Sequence, residues 1–140
     1  MRFWDSSAIL PTCVQEPRSQ MLLQLRRDDP DIVVWWATKV ESVSAVQRLL
    51  RMRQIDAAGR AIFLDCVEAL WPSLDQIAPT EEVRTRAEQL LARHSLRAAD
   101  ALQLGAALVW ARDQPARHDF VCLDERLREA ARREGFTVLP

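Results

Sequence analysis

The chain has no excess of positive charge: 19 basic and 20 acidic residues give its 140 residues a formal net charge of −1. This balance argues against an extended basic face for nucleic acid, although it leaves room for a local one. Lysine is almost absent, since Lys39 is the only one. The remaining positive charge is on arginine, whose planar guanidinium suits two-point contacts with phosphate. Codon bias explains the same preference without any function.

Cysteine is also scarce and is not clustered. Cys13, Cys66 and Cys122 form no C-x-x-C motif and no Cys/His group. Their odd number and wide separation favour reduced thiols and a cytoplasmic location. Because Asp5 follows the first residue so closely, we expect no secretory signal peptide. No apolar run approaches the ~20 residues of a membrane helix. The length predicts one domain over residues 1–140.

The apolar pattern predicts an α/β protein. Residues 2–5 are typical of a short strand, and residues 32–36 are a continuous apolar run, as in a strand that helices cover on both faces. Further strands are predicted over residues 74–78, 120–123 and 136–139. Helices are predicted over residues 17–27, 38–53, 57–70, 81–94, 96–111 and 125–134. The alternation of strands and helices indicates a parallel sheet with helices on its faces.

Four acidic residues occupy related places in this pattern. Asp5 ends the first strand, Glu41 and Asp100 lie in the first turns of helices, and Asp124 follows the fourth strand. Crossover helices run opposite to parallel strands, so strand carboxyl ends and helix amino ends share one edge of the sheet. Open α/β folds bind their ligands at that edge. We therefore expect the four carboxylates to converge there.

Each acid has a local explanation as well. Thr38-x-x-Glu41 is a capping-box pattern, Asp124 suits a helix N-cap, and the helix dipole favours Asp100 in a first turn. These local explanations are less satisfactory for all the acids together, because they do not account for the repulsion between them. Two carboxylates ~6 Å apart repel by roughly 2–3 kcal/mol at an effective dielectric constant of ~20. A cation or bound protons must offset such repulsion. Carboxylates with no His or Cys nearby favour Mg²⁺ or Mn²⁺, which points to metal-assisted hydrolysis of a phosphodiester.

Four segments carry a resemblance to a known family. FWDSSAIL (residues 3–10), the Thr38-x-x-Glu41 helix start, LRAADALQL (residues 96–104) and VCLDERLREAARREGF (residues 121–136) together resemble a PIN domain, and more narrowly the VapC toxins of bacterial toxin–antitoxin pairs. The resemblance implies a PIN-like three-layer α/β fold, with a five-stranded parallel sheet of order 3-2-1-4-5 flanked by helices. It also implies a toxin that cleaves RNA as a metal-dependent endoribonuclease.

The resemblance assigns roles to individual residues. It implies that Asp5, Glu41, Asp100 and Asp124 bind Mg²⁺ or Mn²⁺ and activate water, and that Ser6 and Ser7 correspond to the small polar residues beside the first acid. It further implies a homodimer and a VapB-like antitoxin, whose Arg would block the acidic site. Cys122 departs from the family pattern, since relatives often have Thr or Ser two positions before the fourth acid.

Three further features have two interpretations each. Gln103, one turn after Asp100, could orient a ligand or be a simple polar edge. Arg97 could contact RNA phosphate or belong to a solvated helix face. Trp35 and Trp36 could stack on an unpaired base, although such a pair more commonly belongs to a core.

Three other functions compete with the nuclease. An aspartyl phosphatase of the haloacid dehalogenase type could use Asp5 as nucleophile, but it requires a second Asp where this chain has Ser7. A receiver domain requires a lysine late in the chain, and Lys39 is early. A non-catalytic PIN-like RNA-binding module would have lost some of the four acids, and this chain keeps them all.

Overall fold

The sheet consists of five short parallel strands. The structure is a computed structural model that describes all 140 residues. Its strands are β1 (Arg2–Trp4), β2 (Ile32–Trp35), β3 (Asp75–Ile77), β4 (Asp119–Val121) and β5 (Thr137–Leu139). All neighbouring pairs are parallel, and the order is β3-β2-β1-β4-β5. This arrangement confirms the predicted fold class and strand order.

Seven helices flank the sheet: α1 (Ser6–Cys13), α2 (Ser19–Asp28), α3 (Thr38–Arg51), α4 (Ala57–Leu70), α5 (Glu81–Arg93), α6 (Ala98–Trp110) and α7 (Glu125–Glu134). Helix α1 was not predicted, because Pro11 lies within it and a proline lacks the backbone N–H that helices use. Helix α2 begins at Ser19 rather than at Pro17. No helix is both long enough and apolar enough to cross a bilayer.

The core has two main parts, one on each face of the sheet. In β1, Phe3 packs into the cluster that helices α5, α6 and α7 cover, whereas Trp4 packs into the cluster beneath α1 and α2. Val33 and Val34 of β2 divide in the same way. Successive side chains of a strand point to opposite faces, so an unbroken apolar run is what a sheet covered on both faces requires. The central strands are therefore held rigidly from both sides.

Close packing fixes the position of α6, the helix that carries Asp100. A Cβ atom on Gly105 would lie only 3.0 Å from the carbonyl oxygen of Val83 in α5. Such a contact is tighter than nearly all Cβ contacts, so a side chain here would require the backbone of α5 to shift by a few tenths of an ångström, and the glycine allows the two helices to approach each other without that shift. The approach sets where the amino end of α6 meets the edge of the sheet.

A disulfide joins Cys13 at the end of α1 to Cys66 in α4, with their Cα atoms 5.6 Å apart. The expectation of three reduced thiols is therefore wrong for this pair, and only Cys122 is free. The pairing was invisible in the sequence, because 53 residues separate the two cysteines and α1 was not predicted. The bridge ties α1, which follows Asp5 directly, to α4, and α4 packs on α3.

Candidate active site

All four predicted acids line one cavity of about 480 Å³ at the carboxyl edge of the sheet. Parallel strands and antiparallel crossover helices bring Asp5, Glu41, Asp100 and Asp124 to this edge, as the topology predicts. Ser6 and Ser7 line the same cavity. The rest of its wall is formed by Leu10, Glu16, Ser44, Ala45, Arg48, Ala99 and Leu123.

Asp5 is the most deeply buried of the four acids, with 4% of its surface exposed. Its Oδ2 accepts hydrogen bonds from the backbone N–H of Ser7 at 2.9 Å and from the Ser7 hydroxyl. The Ser7 Oγ in turn accepts the backbone N–H of Leu123 at 2.9 Å, which links α1 to the turn after β4. Burial raises the pKa of Asp5, and the hydrogen bonds to Ser7 offset only part of that rise. Its hydrogen bonds to Ser7 go to Oδ2, which leaves Oδ1 for another ligand.

Glu41 is held by Gln103 rather than by a capping box. The Gln103 Nε2 donates to Glu41 Oε2 at 2.7 Å and to Thr38 Oγ1 at 3.1 Å. Helix α3 has Ala37 as its N-cap, with no side-chain cap, so the capping-box explanation of Glu41 is wrong. Burial raises the pKa of Glu41, the hydrogen bonds from Gln103 and Ser6 lower it, and the nearby Asp5 raises it further.

Gln103 itself is 1% exposed, and its Oε1 has no hydrogen-bond partner. The structure thus places Gln103 behind Glu41 and not in the wall of the cavity. Of the two interpretations of Gln103, neither a solvated polar edge nor direct contact with a ligand matches this position. Its amide instead orients a carboxylate that does line the cavity.

Asp100 and Asp124 cap helices and also line the cavity. Asp100 Oδ2 accepts the backbone N–H of Arg97 at 3.3 Å at the start of α6, and Asp124 Oδ1 accepts that of Leu127 at 2.9 Å at the start of α7. Burial raises the pKa of Asp100, as does Asp124, while the positive charge of Arg97 lowers it. Both acids therefore accept hydrogen bonds at helix amino ends, as the local explanations predicted. Both carboxylates nevertheless line the cavity as well.

Cys122 lies behind Asp5 and not in the cavity wall. Its fully buried Sγ is 3.6 Å from Asp5 Oδ2, and burial raises the pKa of the thiol well above its usual range. Cys122 is therefore a neutral thiol. Arg128, itself 7% exposed, donates to the Cys122 carbonyl at 2.6 Å and to that of Pro140 at 2.6 Å. These contacts fix the turn that carries Asp124.

The carboxylates share the cavity without forming a tight cluster. No three His, Cys, Asp or Glu side chains lie close enough to ligate one ion together. The chemistry of the wall nevertheless suits a hard cation, since its acidic oxygens come with hydroxyls and with no thiolate or imidazole. Mg²⁺ commonly keeps several of its waters and takes only one or two protein carboxylates, so a shared cavity is compatible with it.

Two charged residues of the wall were missed in the sequence. Glu16 follows α1, and its position depends on a helix that was not predicted. Arg48 lies two turns beyond Glu41 on α3, and that spacing of seven residues was the available signal. Arg97 is exposed and is not part of the wall. Trp35 is in the core at 4% exposure, whereas Trp36 is 56% exposed.

Comparison with known proteins identifies the fold but not the family. No protein-family model and no curated protein matches the sequence. Among solved structures, the chain is similar to the crystal structure of FitAcB from Neisseria gonorrhoeae, with a TM-score of 0.67 and 14% identity over 100% of this chain and 97% of that one. The chain has a PIN-like fold. At this identity the likeness concerns the fold alone, so the chemistry of the cavity must be argued from its own residues.

Proposed function

We propose that this protein is a Mg²⁺- or Mn²⁺-dependent endoribonuclease and the toxin of a VapBC-type toxin–antitoxin pair. The observation that carries the proposal is the convergence of Asp5, Glu41, Asp100 and Asp124 on one cavity. For three of them the pKa is raised, with burial as the largest cause. Carboxylates that are costly to ionise gain the most from a divalent cation. The PIN-like fold and the four motifs add support.

In the proposed site, Asp5 and Asp100 would hold the ion, and Glu41 and Asp124 would complete its shell through water. When bound there, the ion would supply a more acidic water and would offset negative charge on the phosphate in the transition state. Ser7 keeps Asp5 oriented through the hydrogen bonds to Oδ2, and Gln103 does the same for Glu41. These hydrogen-bond partners orient the two carboxylates before substrate binds.

The wall of the cavity contains no histidine. The only protein groups that can accept the proton of the attacking water are therefore carboxylates. Attack by water on phosphorus that breaks the bond to the 3′-oxygen, which leaves with a proton, gives a 5′-phosphate and a 3′-hydroxyl. Those ends distinguish this mechanism from one in which the ribose 2′-hydroxyl is the nucleophile.

The acidic cavity also supports the proposed partner. A guanidinium that enters it would pair with several carboxylates at once and would compete with the metal. We propose that a VapB-like antitoxin supplies such an Arg, and that the toxin is a homodimer. Co-expression of the antitoxin should relieve toxicity, and Arg→Glu in the antitoxin should restore it.

The alternative functions are less well supported by the structure. Ser7 stands where an aspartyl phosphatase needs its acid, and its hydroxyl is engaged with Asp5 and Leu123. A receiver domain needs a lysine beside its Asp, whereas Lys39 pairs with Glu68 at 2.8 Å. The non-catalytic RNA-binding module differs from the nuclease only in lacking turnover, so an activity measurement separates them.

The test uses purified protein and single-stranded RNA, with Mg²⁺, Mn²⁺ or EDTA. We expect cleavage only with a divalent ion, and 5′-phosphate ends on sequencing. Asp5→Asn should abolish cleavage. Asp65→Asn is the matched control, because Asp65 is an exposed acid of α4 outside the cavity and should leave the rate unchanged. RNA that is bound but never cut would support the binding module, and hydrolysis of a phosphomonoester alone would support the phosphatase.

A further inference from the structure

We propose that Arg48 binds a backbone phosphate of the RNA beside the bond that is cut, and so positions the substrate. The inference rests on the proposed nuclease function and adds a residue to it. Arg48 is the only basic residue in the wall of the cavity that the four acids share. RNA must bring negative charge into that acidic cavity, and a guanidinium offers phosphate a planar pair of donors.

Helix geometry places Arg48 in line with the site. Glu41, Ser44, Ala45 and Arg48 all line the cavity, and steps of three and four residues put them on one stripe of α3. Seven residues of helix span about 10 Å. Arg48 is thus far enough from Glu41 to bind a phosphate other than the one that reacts, along a path that follows α3.

Arg48 is also available for a ligand. Its side chain is exposed and takes part in no ion pair of the structure. Glu16 lies in the same wall without pairing to it. By contrast, Arg86 is bound to Asp113 and Arg93 to Glu134. Arg48 therefore needs to break no internal contact before it meets RNA.

Two structural explanations of Arg48 make different predictions. As a cation in the last turn of α3 it could stabilise the helix through the dipole, and as a neighbour of four acids it could offset their repulsion. Arg51 shares the first role, since it lies in the same last turn, is exposed and is outside the cavity. It is therefore the matched control.

The experiment compares Arg48→Gln, Arg48→Lys and Arg51→Gln by cleavage of a short single-stranded RNA at several salt concentrations. We expect Arg48→Gln to raise KM about tenfold, as for a lost hydrogen bond between charged groups. It should also lower the slope of log KM against log salt by about 0.7, the value for one phosphate contact on a single strand. Arg48→Lys should keep most of the salt slope but recover only part of the affinity. Arg51→Gln should match the wild type.

Mn²⁺ binding and melting temperature separate the inference from the structural explanations. Both should be unchanged in Arg48→Gln if the residue acts on RNA. If KM and salt slope match those of Arg51→Gln, or if Arg48→Gln alters only stability or Mn²⁺ affinity, the inference is wrong while the nuclease function stands. A wild-type protein that cleaves no RNA in Mg²⁺ or Mn²⁺ overturns the proposed function and this inference with it.

Discussion

Reduction of the Cys13–Cys66 disulfide should lower the stability of the protein markedly. The two cysteines are 53 residues apart, and a cross-link that closes a loop of that length removes about 14 cal/mol/K of chain entropy from the unfolded state. At 25 °C this amounts to about 4 kcal/mol of stability. Unfolding of a domain of this size carries an entropy of about 0.3 kcal/mol/K, so the melting temperature should fall by about 14 °C.

The assay is thermal unfolding of oxidised protein with and without a reductant. Thiol titration under denaturing conditions shows which form is present, with one reactive thiol when the bridge is closed and three when it is open. Cys13→Ala/Cys66→Ala should melt near the reduced wild type and should not respond to reductant. If the wild type shows a closed bridge but melts at the same temperature with and without reductant, the entropic reasoning is refuted. Three free thiols in protein purified without reductant would show that the bridge does not form.

Four predictions concern the carboxylates and the amide that orients one of them. Asp5→Asn or Asp100→Asn should abolish cleavage and preserve or raise the melting temperature without metal, because each removes a charge that burial disfavours. Because the pKa of Asp5 is raised in the folded state from an ordinary 3.8, the folded protein binds more protons than the unfolded chain. Its contribution to stability should therefore fall as pH rises from about 4 through the folded pKa, and Asp5→Asn should flatten that decline in metal-free urea titrations. Mn²⁺ at 100 times its Kd should raise the free energy of unfolding of the wild type by about 2.7 kcal/mol. It should not stabilise the Asp5→Asn/Asp100→Asn double variant. An unchanged wild-type melting temperature at millimolar Mn²⁺ would count against a metal site. Gln103→Met should weaken Mn²⁺ binding about tenfold by calorimetry, since it removes the donor that orients Glu41. Thr38→Val leaves that hydrogen bond in place and should have a smaller effect. Equal effects of the two variants would contradict the role of Gln103.

The sequence predicted those features that depend on local pattern and topology. The apolar run of β2 and the cap and stop of α7, Asp124 and Gly135, follow from residue types alone. The convergence of the four acids followed from one further step, since parallel strands oblige their carboxyl ends to meet. Side-chain identity and chain direction were sufficient for that inference.

The features that were not predicted depend on which elements become neighbours. Helix α1 was not predicted because it contains Pro11. Without α1, the sequence could predict neither the disulfide between Cys13 and Cys66 nor the position of Glu16 in the cavity wall. The Thr38-x-x-Glu41 spacing suggested a local hydrogen bond, but packing of α6 against α3 supplies Gln103 as a better partner. A buried amide from a distant helix competes successfully with a local cap, and only tertiary structure reveals it.

The central place of β1 has a consequence for protein synthesis. Strand β1 pairs with β2 on one side and with β4 on the other, and the backbone N–H of Asp5 donates to the Val121 carbonyl. Asp5 therefore cannot make this backbone hydrogen bond until β4 has been translated, almost 120 residues later. At about 5–20 residues per second, that interval lasts roughly 6–25 s. Throughout that interval the nascent chain lacks β4 and Asp124, so the four acids can line one cavity only after β4 has been synthesised.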